Sequence, residues 1–355
     1  MEMRNSAIIA IILVLLFSCK KPMLNQGDVP ATITNSFLVL NEGLFQHNNS
    51  TLTYFNWHTH QKHDNLFEAK NEWGMGDTGN DIGIYGSKIY IVMNNSHVIH
   101  VLDRQNGMLI EQIALHENGI GASPRNLAFH AGKIYVSAFN GYLYKIDSTS
   151  LQVENKIQLG TNPDQICLVQ NELWVSNSGG LTSLGDSTVS VVELTSFTEA
   201  QKIVVGRNPG SIVYDGNASV YSVSRGNYSN IPSKLVKLEV NSKSLVLSED
   251  RTISSIRFWD GQLFAMGYDF ASSSSSVHIL NPSDFNEITG NLISHIPLQT
   301  LYGFQKINVL GQWVYVLLDA RQYIHQGNVL VCDMNFNVLF EFKAGLNPTK
   351  VIFND

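Results

Sequence analysis

Apolar and polar residues alternate along most of this chain, and the alternation comes as a repeated phrase. Seven runs alternate and then stop on an acid or amide: LTYFN at Asn56, HVLD at Asp103, YKID at Asp147, VVEL around Glu193, VKLE at Glu239, HILN at Asn281 and LVCD at Asp333. The steps between these positions are 47, 44, 46, 46, 42 and 52 residues. A period of two puts successive side chains on opposite faces of a strand. A longer period near 46 that survives insertions marks repeated supersecondary units. Upstream of the runs stands a second column of strands: SFLVLNEG (36–43), KIYIVMNN (88–95), KIYVSAFN (133–140), ELWVSNSG (172–179), SVYSVSRG (219–226), QLFAMGYD (262–269) and WVYVLLDA (313–320).

Each unit therefore holds about four short strands, as residues 165–205 illustrate with QICLVQ, ELWVSN, STVSVVEL and TEAQKIVV. The acid or amide closing each third strand suits an Asx-type turn into the fourth. Seven four-stranded units with almost no helical periodicity predict an all-β, seven-bladed β-propeller over residues 33–355. The first unit opens directly on what is the second strand elsewhere. The chain ends on GLNPTKVIF (345–353), which matches the first-strand segments GTNPDQICLV (160–169) and GRNPGSIVY (206–214). The C-terminal strand is thus expected to complete the first blade and close the ring. In the G-x-N-P turns, Gly permits positive φ and Pro fixes φ where a strand begins.

Composition changes the picture only at the edges. The apolar fraction is 44%, enough for a large core, and the net charge of −7 with no basic run beyond Lys20-Lys21 argues against a nucleic-acid groove. Residues Ala7 to Phe17 are continuously apolar behind Arg4, too short to span a bilayer and suited to a signal peptide over residues 1–18. Leu16-Phe17-Ser18-Cys19 resembles a bacterial lipobox, which makes Cys19 the expected lipidation site. Buried acyl methylenes anchor at about 0.8 kcal/mol each. Residues 19–32 read as the lipidated Cys and a flexible tether. Cys167 and Cys332 fall in distant units and are expected as free thiols.

Several motifs invite chemistry. Trp57-His58-Thr59-His60 with His63 looks metal-like, but sits in a third-to-fourth-strand turn with no second cluster to complete a site. Gly74-Met75-Gly76-Asp77-Thr78-Gly79 matches G-x-G-x-x-G, yet a strand pair follows where a dinucleotide site needs a helix. No metal and no catalytic set is expected, and the chain reads as a non-enzyme. The loops after the second strands and the inter-blade turns meet on one face. From them Trp73, Arg125, Phe139, Arg207, Arg225, Tyr228, Tyr268 and Arg321 are the candidate ligand-binding residues, since aromatics supply contact area and Arg supplies fixed donors.

The phrases YIVMNN, YVSAFN and WVSN, the G-x-N-P turns and the third-strand acids resemble the YVTN-type (YncE-like) seven-bladed propellers. Asn41-Glu42-Gly43, the stretch Asn48 to Tyr54, Gly76-Asp77-Thr78 and Pro124-Arg125 narrow the likeness to the DUF5074 type of Bacteroidetes lipoproteins, often labelled surface-layer proteins. That branch includes surface lipoproteins that capture vitamin B12 and pass it to a TonB-dependent outer-membrane transporter. The resemblance implies a lipid-anchored binding protein of the outer membrane, at the cell surface or on the periplasmic face. It implies a cofactor-sized ligand, with a corrinoid as candidate, and no cofactor of the protein's own. The alternative expectation is an interaction scaffold docking on an envelope complex; a metal-dependent propeller enzyme stands behind both.

Overall fold

The computed structural model describes residues 28–180, 185–269 and 273–355. The expected signal peptide and the lipidation site Cys19 lie outside the described residues. Within them, seven four-stranded antiparallel sheets stand around a ring. The inner strands, in ring order from the first blade, are Pro348–Asn354, Gly79–Tyr85, Pro124–His130, Pro163–Val169, Pro209–Tyr214, Ser255–Trp259 and Leu301–Val309. Second strands such as Lys88–Met93 and Glu172–Asn177 are almost wholly buried, being covered on both faces by neighbouring blades. The core is accordingly a series of inter-blade layers, for example Trp174, Val189 and Val191 of one blade against Val220, Val236 and Leu238 of the next.

The ring closes as the sequence predicts. Ser36–Asn41 pairs on one side with Thr51–Asn56 and on the other with Pro348–Asn354, in register from Ser36↔Asn354 to Leu40↔Lys350 and with a bulge before Asn41↔Pro348. Aromatic packing lines this seam: Phe55 stacks on Phe342 of the seventh blade at 4.1 Å, and within the first blade Phe37 meets Phe353 edge-on at 5.3 Å.

The third-strand acids make the expected turns. Asp103 Oδ1 accepts from the backbone N–H of Gln105 and Asn106, both at 2.9 Å. Asn56, Asp147, Asn281 and Asp333 repeat the arrangement. Shortly after each acid comes a residue at positive φ: His60, Gly107, Leu151, Phe197, Lys243, Phe285 and Phe336. Phe197, Phe285 and Phe336 are buried, so burial and the Asx turn together hold bulky side chains in a conformation they normally avoid. His60 is the first blade's member of this series. Its ring stacks near Phe55 and Phe340, each at 5.5 Å, while His63 is buried on the short strand Lys62–His63.

Three features differ from expectation. In the G-x-N-P turns the left-handed residue is the Asn, at Asn162, Asn208 and Asn347; Thr78 and Ser123 take the same place in two other blades. Gly206 does adopt positive φ, but at Gly160 and Gly345 the constraint is space. A Cβ at Gly160 would lie 2.5 Å from Cγ of Asn177, whose Oδ1 accepts the Gly160 N–H at 3.2 Å. The first blade's outer strand is only two residues long, and the chain then forms a helix, Leu66–Asn71, capped by Asn65 and burying Leu66 and Phe67. Finally, the end of the expected tether is docked: Asp28 O accepts from Gln61 at 2.7 Å, and Lys70 Nζ reaches the carbonyls of Pro30 and Ala31.

Candidate functional site

Among the described residues, backbone hydrogen bonds tie the loop after the second strand to the inter-blade turn of the same blade in six of the seven blades. Glu42 N–H donates to Asn347 O at 2.9 Å, Asn94 to Thr78 at 2.8 Å, Phe139 to Ser123 at 3.0 Å, Ser178 to Asn162 at 3.0 Å, Arg225 to Asn208 at 2.9 Å and Ala320 to Thr300 at 2.9 Å. In three of these blades the residue just before this position anchors the turn. Asn41 and Asn177 accept from Gly345 and Gly160 and donate to hydroxyls of the third strand. Asp319 accepts from Thr300 N–H at 2.8 Å in the same way. These amides are structural, which leaves the next residue in each loop free to differ between blades.

The inner strands contribute a second set of equivalent positions one step below their first residue: Asn80, Arg125, Asp164, Gly210, Tyr302 and Thr349. Together the two sets form a collar around the upper mouth of the channel. Arg125 spans three blades. Its Nε donates to Asp164 Oδ1 at 3.1 Å, its Nη1 to Asn80 Oδ1, and its guanidinium lies 4.3 Å over the Phe139 ring. Arg225 Nη1 approaches Asp164 Oδ2 at 3.7 Å. Gly210 makes room for it, because a Cβ there would lie 2.5 Å from the Arg225 Cζ. Burial alone would raise the Asp164 pKa, but Arg125 and Arg225 outweigh it and hold the carboxyl below its ordinary value.

On the opposite side of the collar the Tyr302 hydroxyl donates to Glu42, and Tyr323 meets the Tyr302 ring edge-on at 5.6 Å. Burial pushes the Glu42 carboxyl up, with the Tyr302 hydrogen bond and Arg125 pulling it back only in part. The Tyr302 hydroxyl is pushed well up, first by burial and then by Glu42. Tyr323 is raised by burial and by its neighbours Tyr268 and Glu42. The collar thus presents a cationic, aromatic side at Arg125, Phe139 and Arg225, and a hydroxyl-rich side at Tyr268, Tyr302, Tyr323 and Glu42.

Of the residues singled out from sequence, Arg125, Phe139, Arg225 and Tyr268 fall in this collar. Trp73 does not. It packs edge-on against Phe67 at 5.1 Å and His100 at 5.4 Å, in the groove between the first two blades. Arg207 lies over Gly185, in the loop between the second and third strands of the fourth blade. Tyr228 stands exposed at positive φ on the rim. Arg321 lines a separate 390 Å³ groove with Gln299, Asp319, Glu341 and Lys343. Asn80 and Asp164 were not singled out at all. Aligning the second residue of each inner strand across the repeats is the signal that finds them.

The loops holding this collar carry the motif residues noted in the sequence. Asp77 accepts from the backbone of Gln46 and Asn48 and from Asn95 Nδ2, and Ser50 Oγ bridges Glu42 O and Gly79 N–H. The family described as "Domain of unknown function (DUF5074)" matches residues 35–256. The chain belongs to the DUF5074 family. No curated protein matches it. Among solved structures, this DUF5074 propeller is similar to a quinonprotein alcohol dehydrogenase-like protein from Bacteroides thetaiotaomicron, with TM-score 0.63, 12% identity and coverage of 91% of this chain and 79% of that one. It is similar to the dihydro-heme d1 dehydrogenase NirN, with TM-score 0.58, 10% identity and coverage of 94% and 78%. It is also similar to Kuenenia stuttgartiensis hydrazine synthase, with TM-score 0.50, 14% identity and coverage of 63% of this chain and 66% of that one, just under two thirds. Identities this low bear on the fold alone.

Proposed function

We propose that this chain is a membrane-anchored, non-catalytic binding lipoprotein that holds a cofactor-sized ligand on the upper face of its propeller. A corrinoid is the first ligand to test, and a TonB-dependent outer-membrane transporter is the recipient the family resemblance suggests. The observation supporting the reading is the collar itself. Equivalent positions of one repeat carry Arg, Asp, Asn, Glu and Tyr side chains whose hydrogen bonds cross from blade to blade, with Phe139 under Arg125. A rigid scaffold with changeable loops on one face is how propellers and similar folds position binding residues, and aromatic and Arg anchors dominate contact energy.

Titration of the full-length chain with cobalamin and cobinamide tests the ligand. Binding with a rise in melting temperature is expected; no heat and no shift at tens of micromolar ligand would exclude the corrinoid. Membrane fractionation of Cys19→Ala tests the anchor, with release of the folded variant as the expected outcome. Retention after a high-salt wash would count against lipidation at Cys19.

A further inference from the structure

Below the collar the channel carries a second constellation, centred on Arg257 of the sixth blade. Its Nη1 donates to Ser255 Oγ at 3.2 Å and Ile256 O at 2.8 Å, both on its own strand. Among the described residues, Nε and Nη2 meet no protein acceptor within hydrogen-bond distance. The negative charge that bears on it is Asp81, on the inner strand of a blade three places further round the ring, so the two strands stand across the central channel from each other. Asp81 is already saturated. Its Oδ1 takes the Ile82 N–H at 2.9 Å and Lys350 Nζ, and its Oδ2 takes Asn126 Nδ2 at 2.6 Å and the Leu127 N–H at 2.9 Å.

The charges around the channel do not balance. Arg125, Arg225, Arg257 and Lys350 face only Asp81 and Asp164 as paired carboxylates, with Glu42 hydrogen-bonded to Tyr302 above them. This excess of fixed cations sits in a chain of net charge −7, so it is a local concentration, not a general property of the surface. Arg257 is half-buried, with its free nitrogens open to the channel, and a guanidinium fork with free donors matches the geometry of an oxyanion. Burial weighs on the charged form, bringing the Arg257 pKa down to about 10 against the pull of Asp81, so the residue stays cationic at neutral pH.

We infer that the channel binds an oxyanion, the phosphate or carboxylate class, against Arg257, with Lys350 on the facing wall. The site is independent of the ligand proposed for the collar, and a failed corrinoid titration leaves it standing. The test is calorimetric and thermal titration of the full-length chain with inorganic phosphate and with a nucleoside monophosphate, at constant ionic strength, with chloride as reference. Saturable binding of phosphate is expected, and Arg257→Met should weaken it by about tenfold or more. In chloride the same variant should melt close to the wild-type temperature, because Arg257 bonds only to its own strand. A merely structural Arg257 would instead melt lower in both salts and bind phosphate as the wild type does, and that pair of results overturns the proposal. Should Arg257→Met fail to fold, Arg257→Lys keeps the charge and loses the fork. Weakened binding then supports the site, and unchanged binding overturns it. Binding of inorganic phosphate alone identifies a small free anion as the occupant; tighter binding of the monophosphate identifies the pendant group of a larger ligand. Absence of phosphate binding by the wild type sinks both.

Discussion

On the lower face, the turn after the third strand repeats one device: in six of the seven blades an acid or amide caps the backbone, in every blade a residue at positive φ follows, and in four of them that residue is a buried Leu or Phe. On the upper face, equivalent positions of the same repeat carry Asn80, Arg125, Asp164, Gly210, Tyr302 and Thr349. One face repeats its chemistry and the other varies it on a common backbone. The lower turns answer to a requirement identical in each blade, namely reversing the chain and covering a layer of core. The upper positions answer to their neighbours across the mouth, so each is chosen against a different partner. Variation at equivalent positions, joined by side-chain bonds between blades, is therefore the mark of a site in a repeat protein.

The sharpest way to break this comparison is to open the ring. Truncation after Gly345 removes the inner strand of the first blade, and with it Lys350 and the seam packing of Val351 and Phe353. It also bares the inner edge of Ser36–Asn41. Loss of the folded monomer by gel filtration and melting is expected. A monomer of unchanged melting temperature would show that closure through this strand contributes nothing.

Next in size is the lower face. Phe285 is wholly buried among Tyr221, Leu263 and Leu280, so Phe285→Ala should cost about 3–5 kcal/mol in urea unfolding. Ligand affinity, extrapolated to fully folded protein, should not move. A change in affinity without a change in stability would reverse the roles assigned to the two faces.

Asp164 tests whether the collar is purely a binding device. Asp164→Asn strands Arg125 and Arg225 over a buried amide, and a loss of about 3 kcal/mol is expected at pH 7. The native carboxyl is held below its ordinary value, so its contribution is complete above the unfolded pKa of about 4 and disappears as the pH falls through the folded value. The stability gap between wild type and variant should therefore be flat from pH 7 to about pH 4 and close below it. A gap that widens in acid would show that the two arginines do not govern this group.

The blades, their order and the closing strand were legible because period-two alternation and a 46-residue repeat are properties of the chain itself. The Asx turns were legible for the same reason. The helix Leu66–Asn71 was not, since six residues with adjacent Leu66 and Phe67 show no helical period. The turn glycines were misjudged because crowding by Asn177 or Asn41 is a tertiary fact; the left-handed Asn is a local one that the turn motif already contained. Half of the candidate residues reached the collar. Direction within a loop decided the rest: Trp73 points toward His100, Arg207 toward Gly185, Arg321 into an outer groove, and Tyr228 stands at the rim.

That division supplies the finest test. Arg225 and Tyr228 lie three residues apart in one loop, yet Arg225 is held between Asp164 and Gly210 while Tyr228 is 67% exposed. A side chain fixed before the ligand arrives loses little entropy on binding, and Arg225 presents its donors into the mouth. Tyr228 has contact area to offer, but ordering it on binding takes back part of the gain. For whichever ligand the upper face binds, Arg225→Ala should weaken affinity at least about tenfold, which is about 1.4 kcal/mol, and Tyr228→Ala less than about twofold. His58→Ala and His60→Ala, on the opposite face, should leave affinity alone. Titration of the four variants in parallel decides the order. If Tyr228 matters more than Arg225, the ligand sits out on the rim and the collar is only scaffold. If the histidines matter most, the binding face is the lower one, and the repetition of its turns would have concealed a site.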